Sequence, residues 1–378
     1  MIKKVHIIIL ILSLFLMGSC ITPFIPKVNE DKKILVVEGL ITDQPDTNTI
    51  KLSRSLSLGI SALPNPVKGC IVTISDELGN IYSFTETTDG KYVSDPSKFK
   101  GITGRFYTLH INTNNGNNSL NYQSYPMEMK PVPPIDSIYY EKVAIKEVEG
   151  TNSQEGCQIY LDTHDPTNQS KYYRWEFSET WEFRLPYIVP NSKCWISNKS
   201  DLINIKSTTA LEETKISRYP LYFISNTTDR LRVMYSILVK QYSLSIDEYQ
   251  YWEKLQKITE MVGGLYDITP STVPSNVYCL DNPDEQVLGY FSVSASASKR
   301  LFIKANFAGI FTPYTDRVCV ADTIFGDEPI PSLGTFTWII VVHPIPPPQY
   351  VIITRVKGCY DCTVRGTNIE PDFWPEEK

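Results

Sequence analysis

Short strand-like runs fill the chain from residue 33 to residue 129, and they constrain the fold more than any other feature of the sequence. Apolar and β-branched residues alternate with polar ones, and turns rich in Asn, Asp and Gly separate the runs. At Gly69–Ser75, for example, GCIVTIS is followed by the turn DELGN and a second run at Ile81–Thr87. About seven such runs in roughly 95 residues are typical of a small β-sandwich.

A proline-rich segment, KPVPPID at Lys130–Asp136, ends this first region. Proline removes a backbone donor and disfavours helix in the residue before it, so we expect an extended segment and a domain boundary here. The alternative is a proline-rich edge within one domain. The succession of runs and turns resembles immunoglobulin-like or carboxypeptidase-regulatory-like modules. It predicts an immunoglobulin-like β-sandwich over residues 34–130 and a larger β-rich domain over residues 131–378, giving a mainly β fold.

The clearest strand pattern of the second region is KYYRWEFSETWEF, at Lys171–Phe183. Five of its aromatic residues share one parity, which predicts one buried face and one solvent-facing face: Tyr173, Trp175, Phe177, Trp181 and Phe183. The residues expected on the wet face are Arg174, Glu176, Ser178 and Glu182. Glu179 interrupts the aromatic parity, which suggests an edge or the wall of a partly wet pocket. Because aromatic rings stack on sugars, Trp175, Glu179 and Trp181 are the candidate ligand surface; the alternative is ordinary charge on an exposed strand.

One helix is expected over residues 245–262. Ser245 can cap its start, and Glu248 three residues later completes the pattern of a capping box. Apolar residues then recur every three to four positions, as in an amphipathic helix. This apolar stripe either docks the helix on a sheet or lies along a partner protein.

The first twenty residues, MIKKVHIIILILSLFLMGSC, have the parts of a secretory signal peptide: two lysines, an apolar run and a small pair. Because Cys20 directly follows the small pair, we expect a lipoprotein signal over residues 1–20, with lipid attached to Cys20. An ordinary signal peptide and a transmembrane anchor are the alternatives. Residues 21–33 are polar and proline-bearing, and we expect them to form a tether between the lipid and the first domain.

Seven cysteines remain besides Cys20, and an exported chain lies where disulfides persist. Because seven is odd, at least one cysteine stays free or pairs outside the chain. Cys70 and Cys157 lie in strand patterns and are expected to be buried as small apolar residues. The residues expected to form disulfides are Cys194, Cys319, Cys359 and Cys362, whose three pairings stay open. The C-x₂-C spacing leaves zinc binding and thiol exchange as alternatives.

Several functional classes lack support in the sequence. The net charge is −6, without a basic block, so no nucleic-acid partner is expected. The sequence contains no H-E-x-x-H zinc motif, no G-x-S-x-G nucleophile motif and no nucleotide-binding glycine pattern. We therefore expect no catalytic residues, no metal and no cofactor, and hence a protein that is not an enzyme.

Seven separated strings, in order, resemble a family of bacterial lipoproteins, the domain-of-unknown-function family 4249 of Bacteroidota. The strings are LVVEGLITDQP (Leu35–Pro45), KLSRS (Lys51–Ser55), PVPPIDSIYYE (Pro131–Glu141), YYRWEFSETWEF (Tyr172–Phe183), YSILVKQYSLSIDEYQYWEKL (Tyr235–Leu255), VLGYFSVSASASKRLFI (Val287–Ile303) and CYDCTVRGTNIEPDFW (Cys359–Trp374). The resemblance implies an outer-membrane lipoprotein, often encoded beside a TonB-dependent transporter. It implies no established activity and carries over no catalytic residue.

These observations lead us to expect an outer-membrane-anchored lipoprotein, held to the membrane through Cys20. It would act as an accessory or ligand-capturing subunit of a TonB-dependent β-barrel transporter. A structural or adhesive surface lipoprotein is the alternative, and a carbohydrate-active enzyme is a third. The tether has no acidic cluster directly after Cys20, because Glu30 and Asp31 come about ten residues later. Both the periplasmic and the cell-surface face of the outer membrane therefore stay open.

Overall fold

The computed structural model describes residues 33–56, 65–114, 119–146, 153–185, 189–260, 273–304, 321–325, 338–342, 350–354 and 356–376. The expected signal peptide and tether, with Cys20, lie outside these residues, as does Cys319. Within the described ranges the chain forms 22 strands and one α-helix. The prediction of a mainly β fold with one main helix is therefore confirmed.

The first nine strands are β1 (Leu35–Ile41), β2 (Thr49–Arg54), β3 (Asn65–Pro66), β4 (Ile71–Asp76), β5 (Ile81–Thr88), β6 (Lys91–Ser94), β7 (Phe106–Asn112), β8 (Asn121–Ser124) and β9 (Met127–Glu128). The next are β10 (Ile135–Lys146), β11 (Ser153–His164), β12 (Tyr172–Arg184), β13 (Lys193–Lys199), β14 (Asn204–Ser207), β15 (Lys215–Ser225) and β16 (Met234–Ser243). Helix α1 (Ile246–Glu260) follows. After it come β17 (Val277–Cys279), β18 (Val287–Val293), β19 (Ser296–Lys304), β20 (Ala321–Phe325), β21 (Trp338–Val342) and β22 (Tyr350–Thr354).

The first nine strands belong to one 11-stranded sheet. Its order runs from β17 through β8, β7, β4, β5, β6, β2 and β1 to β18, with β3 beside β2 and β9 beside β7. The pairing of β1 with β18 is parallel, whereas the other pairs are antiparallel. Both end strands come from the chain after α1. The first sheet therefore crosses the boundary expected near residue 130.

The two ends of this sheet are joined by the side chain of Asn276. Its Nδ2 donates to the Phe291 carbonyl oxygen at 2.8 Å, and its Oδ1 accepts from the Phe291 N–H at 2.8 Å. A side-chain amide thus supplies both hydrogen bonds that a neighbouring strand would make. The sheet curls around one apolar core, in which Leu35, Tyr107 and Phe291 are buried. This arrangement is consistent with a sandwich or a barrel.

The second part of the chain packs two sheets face to face. One has the order β10-β11-β15, and the other has the order β13-β12-β16-β19, with β14 also paired to β12. Aromatic rings fill the space between them: Trp175 lies 4.5 Å from Tyr219, and Phe177 lies 4.8 Å from Tyr222, between ring centroids. A further three-stranded sheet has the order β20-β22-β21.

The aromatic side of β12 is buried as its parity predicts, but the prediction of a wet opposite side is wrong at two positions. Arg174 is buried because Trp252 of α1 stacks on its guanidinium, with the carbon Cζ 4.1 Å from the ring centroid. Glu182 is buried at a position that pairs across the sheet with Trp195, and Trp374 packs on Trp195. Both sides of β12 are therefore covered, one by the facing sheet and the other by α1 and the carboxyl-terminal tail.

A disulfide between Cys194 and Cys362 ties this tail to β13. Backbone hydrogen bonds in both directions between Trp195 and Thr367, of 2.8 and 2.9 Å, extend the attachment. Cys359 is also disulfide-bonded. The cysteines Cys70, Cys157 and Cys279 are free and buried. The structure thus pairs two of the four cysteines expected in disulfides with each other.

Candidate functional site

A cleft of about 730 Å³ lies where the first sheet, β12 and α1 meet. Strands β1, β2 and β18 form one wall, β12 forms another, and α1 with the segment Ser200–Ile203 closes the rest. The Gln256 side chain of α1 donates to the Ile203 carbonyl oxygen at 2.8 Å, so the helix and this segment are joined. Five separate parts of the chain, with β1 and β2 counted as one, therefore contribute to one concave surface.

Arg174 of β12 is the central polar group of the cleft. Its guanidinium lies between two aromatic rings, with Cζ 4.1 Å from the Trp252 centroid and 5.2 Å from the Tyr242 centroid. Its Nη2 contacts Glu176 Oε1 at 2.8 Å, while its buried Nε has no hydrogen-bond partner. The two rings and the carboxylate hold the guanidinium in one orientation.

Glu248 lies beneath Arg174 and is fully buried. Burial raises the pKa of its carboxyl group, although Arg174, Ser292 and Trp252 act in the opposite direction. Oε1 accepts from Trp252 Nε1 at 3.3 Å, and Oε2 has no hydrogen-bond partner. Only half of the expected capping box forms: the Glu248 N–H donates to Ser245 Oγ at 3.1 Å, but the carboxyl group turns inward.

Aromatic side chains form the helix wall of the cleft. The Tyr251 ring lies 4.7 Å from Tyr290 and 5.4 Å from Trp252, between centroids. Tyr251 and Trp252 are half-buried, so part of each ring faces the open space, and Leu255 continues the same wall. Burial raises the pKa of Tyr251 to about 12, which keeps its hydroxyl neutral and able to donate a hydrogen bond.

Charged groups at the cleft are mostly paired with one another. Lys51 Nζ lies 3.5 Å from Glu38 Oε2 on the first sheet, and both side chains are exposed. Glu176, which pairs with Arg174, also accepts from the Tyr242 hydroxyl at 3.2 Å. With Asp201, the lining has three carboxylates and two basic groups.

A known protein family matches most of the chain. The family described as a domain of unknown function, DUF4249, matches residues 21–300. The chain belongs to the DUF4249 family. The matched range contains every residue that lines the cleft, so the cleft lies within the part that defines this DUF4249 protein. No curated protein matches the chain.

The candidate ligand surface of Trp175, Glu179 and Trp181 is not a surface in the DUF4249 chain, because all three side chains are buried. The Trp175 Nε1 donates to Gln241 Oε1 at 2.8 Å. Trp175 contributes to the cleft only as part of its wall. Glu179 pairs with Arg230 instead of facing a wet pocket. The expectation is corrected for a physical reason: the β10-β11-β15 sheet packs on this side of β12 and excludes water from it.

Sequence reasoning did not assign Arg174, Tyr251 and Trp252 to a site. The signal available for Trp252 is the apolar stripe on α1, which either docks the helix on a sheet or lies along a partner protein. Tyr251 lies outside that stripe. Arg174 was expected in water, because a single strand pattern does not reveal that a helix covers it. The cleft is thus formed by tertiary packing between segments whose individual patterns are ordinary.

A second concavity of about 560 Å³ is lined by His164, Asp165, Glu213 and Lys215, among others. The Asp165 carboxylate accepts from the backbone N–H groups of Thr167, Gln169 and Ser170, so it closes a turn. Among the residues that the structure describes, no group of three or more His, Cys, Asp or Glu side chains is placed to hold a metal ion. The Asp165 carboxylate is therefore engaged in holding this turn.

The same described ranges contain no helix that combines the length and the apolar character needed to cross a bilayer.

Proposed function

We propose that this DUF4249 chain is an outer-membrane-anchored lipoprotein that captures a ligand for a TonB-dependent transporter, without itself being a catalyst. The single observation that carries the proposal is the cleft between the first sheet, β12 and α1. Small-ligand sites are typically concave, about 300–1,000 Å³ in volume and lined by apolar and aromatic groups with a few fixed polar ones. The cleft, at about 730 Å³ with Arg174 held between two rings, has these properties.

The anchor follows from the sequence at Cys20. Each buried CH₂ of an acyl chain contributes about 0.8 kcal/mol to membrane binding. The sum over one chain holds a protein only marginally, whereas two or more chains hold it stably. The thirteen residues of the tether, at ~3.3–3.6 Å each when extended, would let the first sheet stand at most about 45 Å from the lipid surface. A tethered binding domain would then meet a transporter in the same membrane at high effective concentration.

Attachment is tested by Cys20→Ser, which removes the lipidated thiol. We expect the wild-type protein in the membrane fraction and the variant in the soluble fraction after cell breakage. Cys70→Ser is the matched control, because Cys70 is a free and buried cysteine. Equal partitioning of wild-type protein and C20S would refute the anchor.

The transporter role is tested with the tagged full chain extracted from membranes in mild detergent. Co-purification of a β-barrel transporter, together with loss of substrate uptake on deletion of the gene, would support the proposal. If extracts contained no barrel partner and deletion left uptake unchanged, the adhesive alternative would replace it.

A further inference from the structure

The charges of the cleft suggest that its ligand is neutral. Arg174 is paired with Glu176, and Lys51 is paired with Glu38. An anion must displace one of these carboxylates to form a new ion pair with Arg174 or Lys51. An anion also meets an excess of carboxylates, and an exposed carboxylate such as Asp201 gives a cation only about 0–1 kcal/mol.

The walls require a ligand with apolar faces. Tyr251, Trp252 and Leu255 present ring and aliphatic surface along one side of the cleft, and Val36 and Leu40 of β1 present aliphatic surface on the other. Burying such surface contributes roughly 25 cal/mol per Å². Sugar rings carry C–H groups on their faces, so they can cover these walls while their hydroxyl groups stay at the edges.

The ion pair at the floor of the cleft is suited to neighbouring hydroxyl groups. One hydroxyl can accept from the Arg174 guanidinium while the next donates to the Glu176 carboxylate, without separating the pair, because a hydroxyl both donates and accepts. The two flanking rings already fix the guanidinium, which reduces the entropy lost when a ligand binds.

A peptide fits the same surface less well. Extended peptides bind most readily by adding a strand to a free sheet edge. Strand β1, which runs along the cleft, is paired on one side with β2 and on the other with β18. It therefore presents its side chains to the cleft, and it has no free backbone groups for a peptide to pair with.

We propose that the cleft binds a neutral oligosaccharide, with Tyr251 and Trp252 against the sugar faces and the Arg174–Glu176 pair hydrogen-bonded to its hydroxyl groups. This assignment rests on the proposed ligand-capturing function and names the class of ligand. It concerns binding only and involves no cleavage of the sugar.

The experiment uses the full chain purified from membranes and an array of neutral plant, fungal and animal oligosaccharides. Oligogalacturonate and a pool of hexapeptides are included as anionic and peptide probes. We expect saturable binding to at least one neutral oligosaccharide, measured again by calorimetry. Trp252→Ala should weaken it at least tenfold, and Leu255→Trp, which fills the cleft, should abolish it.

Tyr125→Ala is the matched aromatic control, because the Tyr125 ring is exposed, lies 5.0 Å from the Tyr278 ring between centroids and does not line the cleft. The affinity of this variant for the oligosaccharide should equal that of the wild type. Circular dichroism and thermal unfolding identify any variant that fails to fold, and Glu176→Gln, which keeps the side-chain shape, then provides an independent loss of about tenfold. Binding of no neutral oligosaccharide, or of the anionic or peptide probes alone, would overturn the assignment. Co-purification with a transporter would in that case still support the proposed function.

Discussion

Glu179 is the residue at which the aromatic pattern of β12 breaks, and its surroundings explain how a charge is accommodated there. Its two carboxylate oxygens accept from Arg230 Nε at 3.0 and 3.1 Å, and Oε2 also accepts from the Tyr235 hydroxyl at 2.9 Å. Arg230 in turn lies over the Trp181 ring, with Cζ 4.7 Å from its centroid. The carboxylate is therefore fully engaged within the apolar core between the β10-β11-β15 and β13-β12-β16-β19 sheets.

Glu179→Gln should destabilise the protein by about 3 kcal/mol. This lies at the lower end of the roughly 3–5 kcal/mol that breaking a buried ion pair costs, because Arg230 keeps some contact with solvent. Urea unfolding monitored by tryptophan fluorescence measures the change. Glu155→Gln is the control: its pair with Lys142 is partly exposed, at 3.3 Å, and should contribute about 1 kcal/mol or less. Equal losses in the two variants would contradict the buried pairing.

Glu248 predicts a dependence of stability on pH. Its pKa in the folded protein is raised above the ordinary value of 4.5 by burial, so on increasing pH the unfolded chain loses this proton first. The contribution of the protonated group is fully present below pH 4.5 and is lost as the pH rises through the folded pKa. Glu248→Gln has no such proton to lose.

The unfolding free energy of Glu248→Gln should therefore rise relative to that of the wild type between pH 4 and pH 8. Denaturant titrations at a series of pH values measure the difference. Glu253→Gln is the matched control on the same helix, because Glu253 is partly exposed and paired with Lys257 at 3.0 Å. A constant difference between wild type and E248Q across this range would refute the assigned pKa direction.

At the scale of elements, the parallel pairing of β1 with β18 depends on Gly289. Its φ of +85° lies in the left-handed region, and a Cβ there would collide with the Val37 backbone carbonyl group of β1. Only glycine lets the two strands approach at this point, since the neighbouring strand leaves no room for a side chain.

Gly289→Ala should destabilise the protein by at least ~3 kcal/mol, because backbone strain of about 1–2 kcal/mol adds to the steric clash. Gly104→Ala separates the two effects: its φ is +86°, and nothing lies within 4 Å of the added Cβ. The control should lose only the strain contribution. Thermal unfolding of the two variants gives the comparison, and equal melting temperatures would show that β18 does not pack on β1 as described.

Many of the strands could be predicted, because alternation and turn residues act locally. The run at Ile81–Thr87 appears as β5, and the helix expected over residues 245–262 appears as α1. Strand β15 gave no such signal, since its sequence KISRYPLYFIS contains a proline and no regular alternation. Strand β17 has three residues, too few for a period to be recognised.

The cleft was much less predictable than the strands. Trp252 is part of the apolar stripe that the sequence shows, but which surface the stripe meets depends on contacts between distant segments. Tyr251 lies outside the stripe. Arg174 was expected in water because alternation assigns a face and carries no information about what covers that face. Five segments, from the β1–β2 region, β12, residues 200–203, α1 and β18, have to be brought together before the site exists.

For the whole molecule, the Cys194–Cys362 disulfide connects residues 168 positions apart. In the chain-entropy model a loop of this size contributes roughly 5 kcal/mol. The double variant Cys194→Ser, Cys362→Ser should lose up to about that amount and loosen the tail that covers Trp195. Urea unfolding with acrylamide quenching of tryptophan fluorescence checks both effects. Cys157→Ser, a change at a free and buried cysteine, controls for the loss of a thiol.

The pairing of Leu35 in β1 with Val287 in β18 has a consequence for how the protein is made. Synthesis proceeds from the amino terminus at about 5–20 residues per second, so β18 emerges roughly 10–50 s after β1. During that time one edge of β1 has no partner, and such an edge readily pairs with other chains. The newly made chain therefore needs protection, by a chaperone or by delayed folding, until nearly 300 residues have been synthesised.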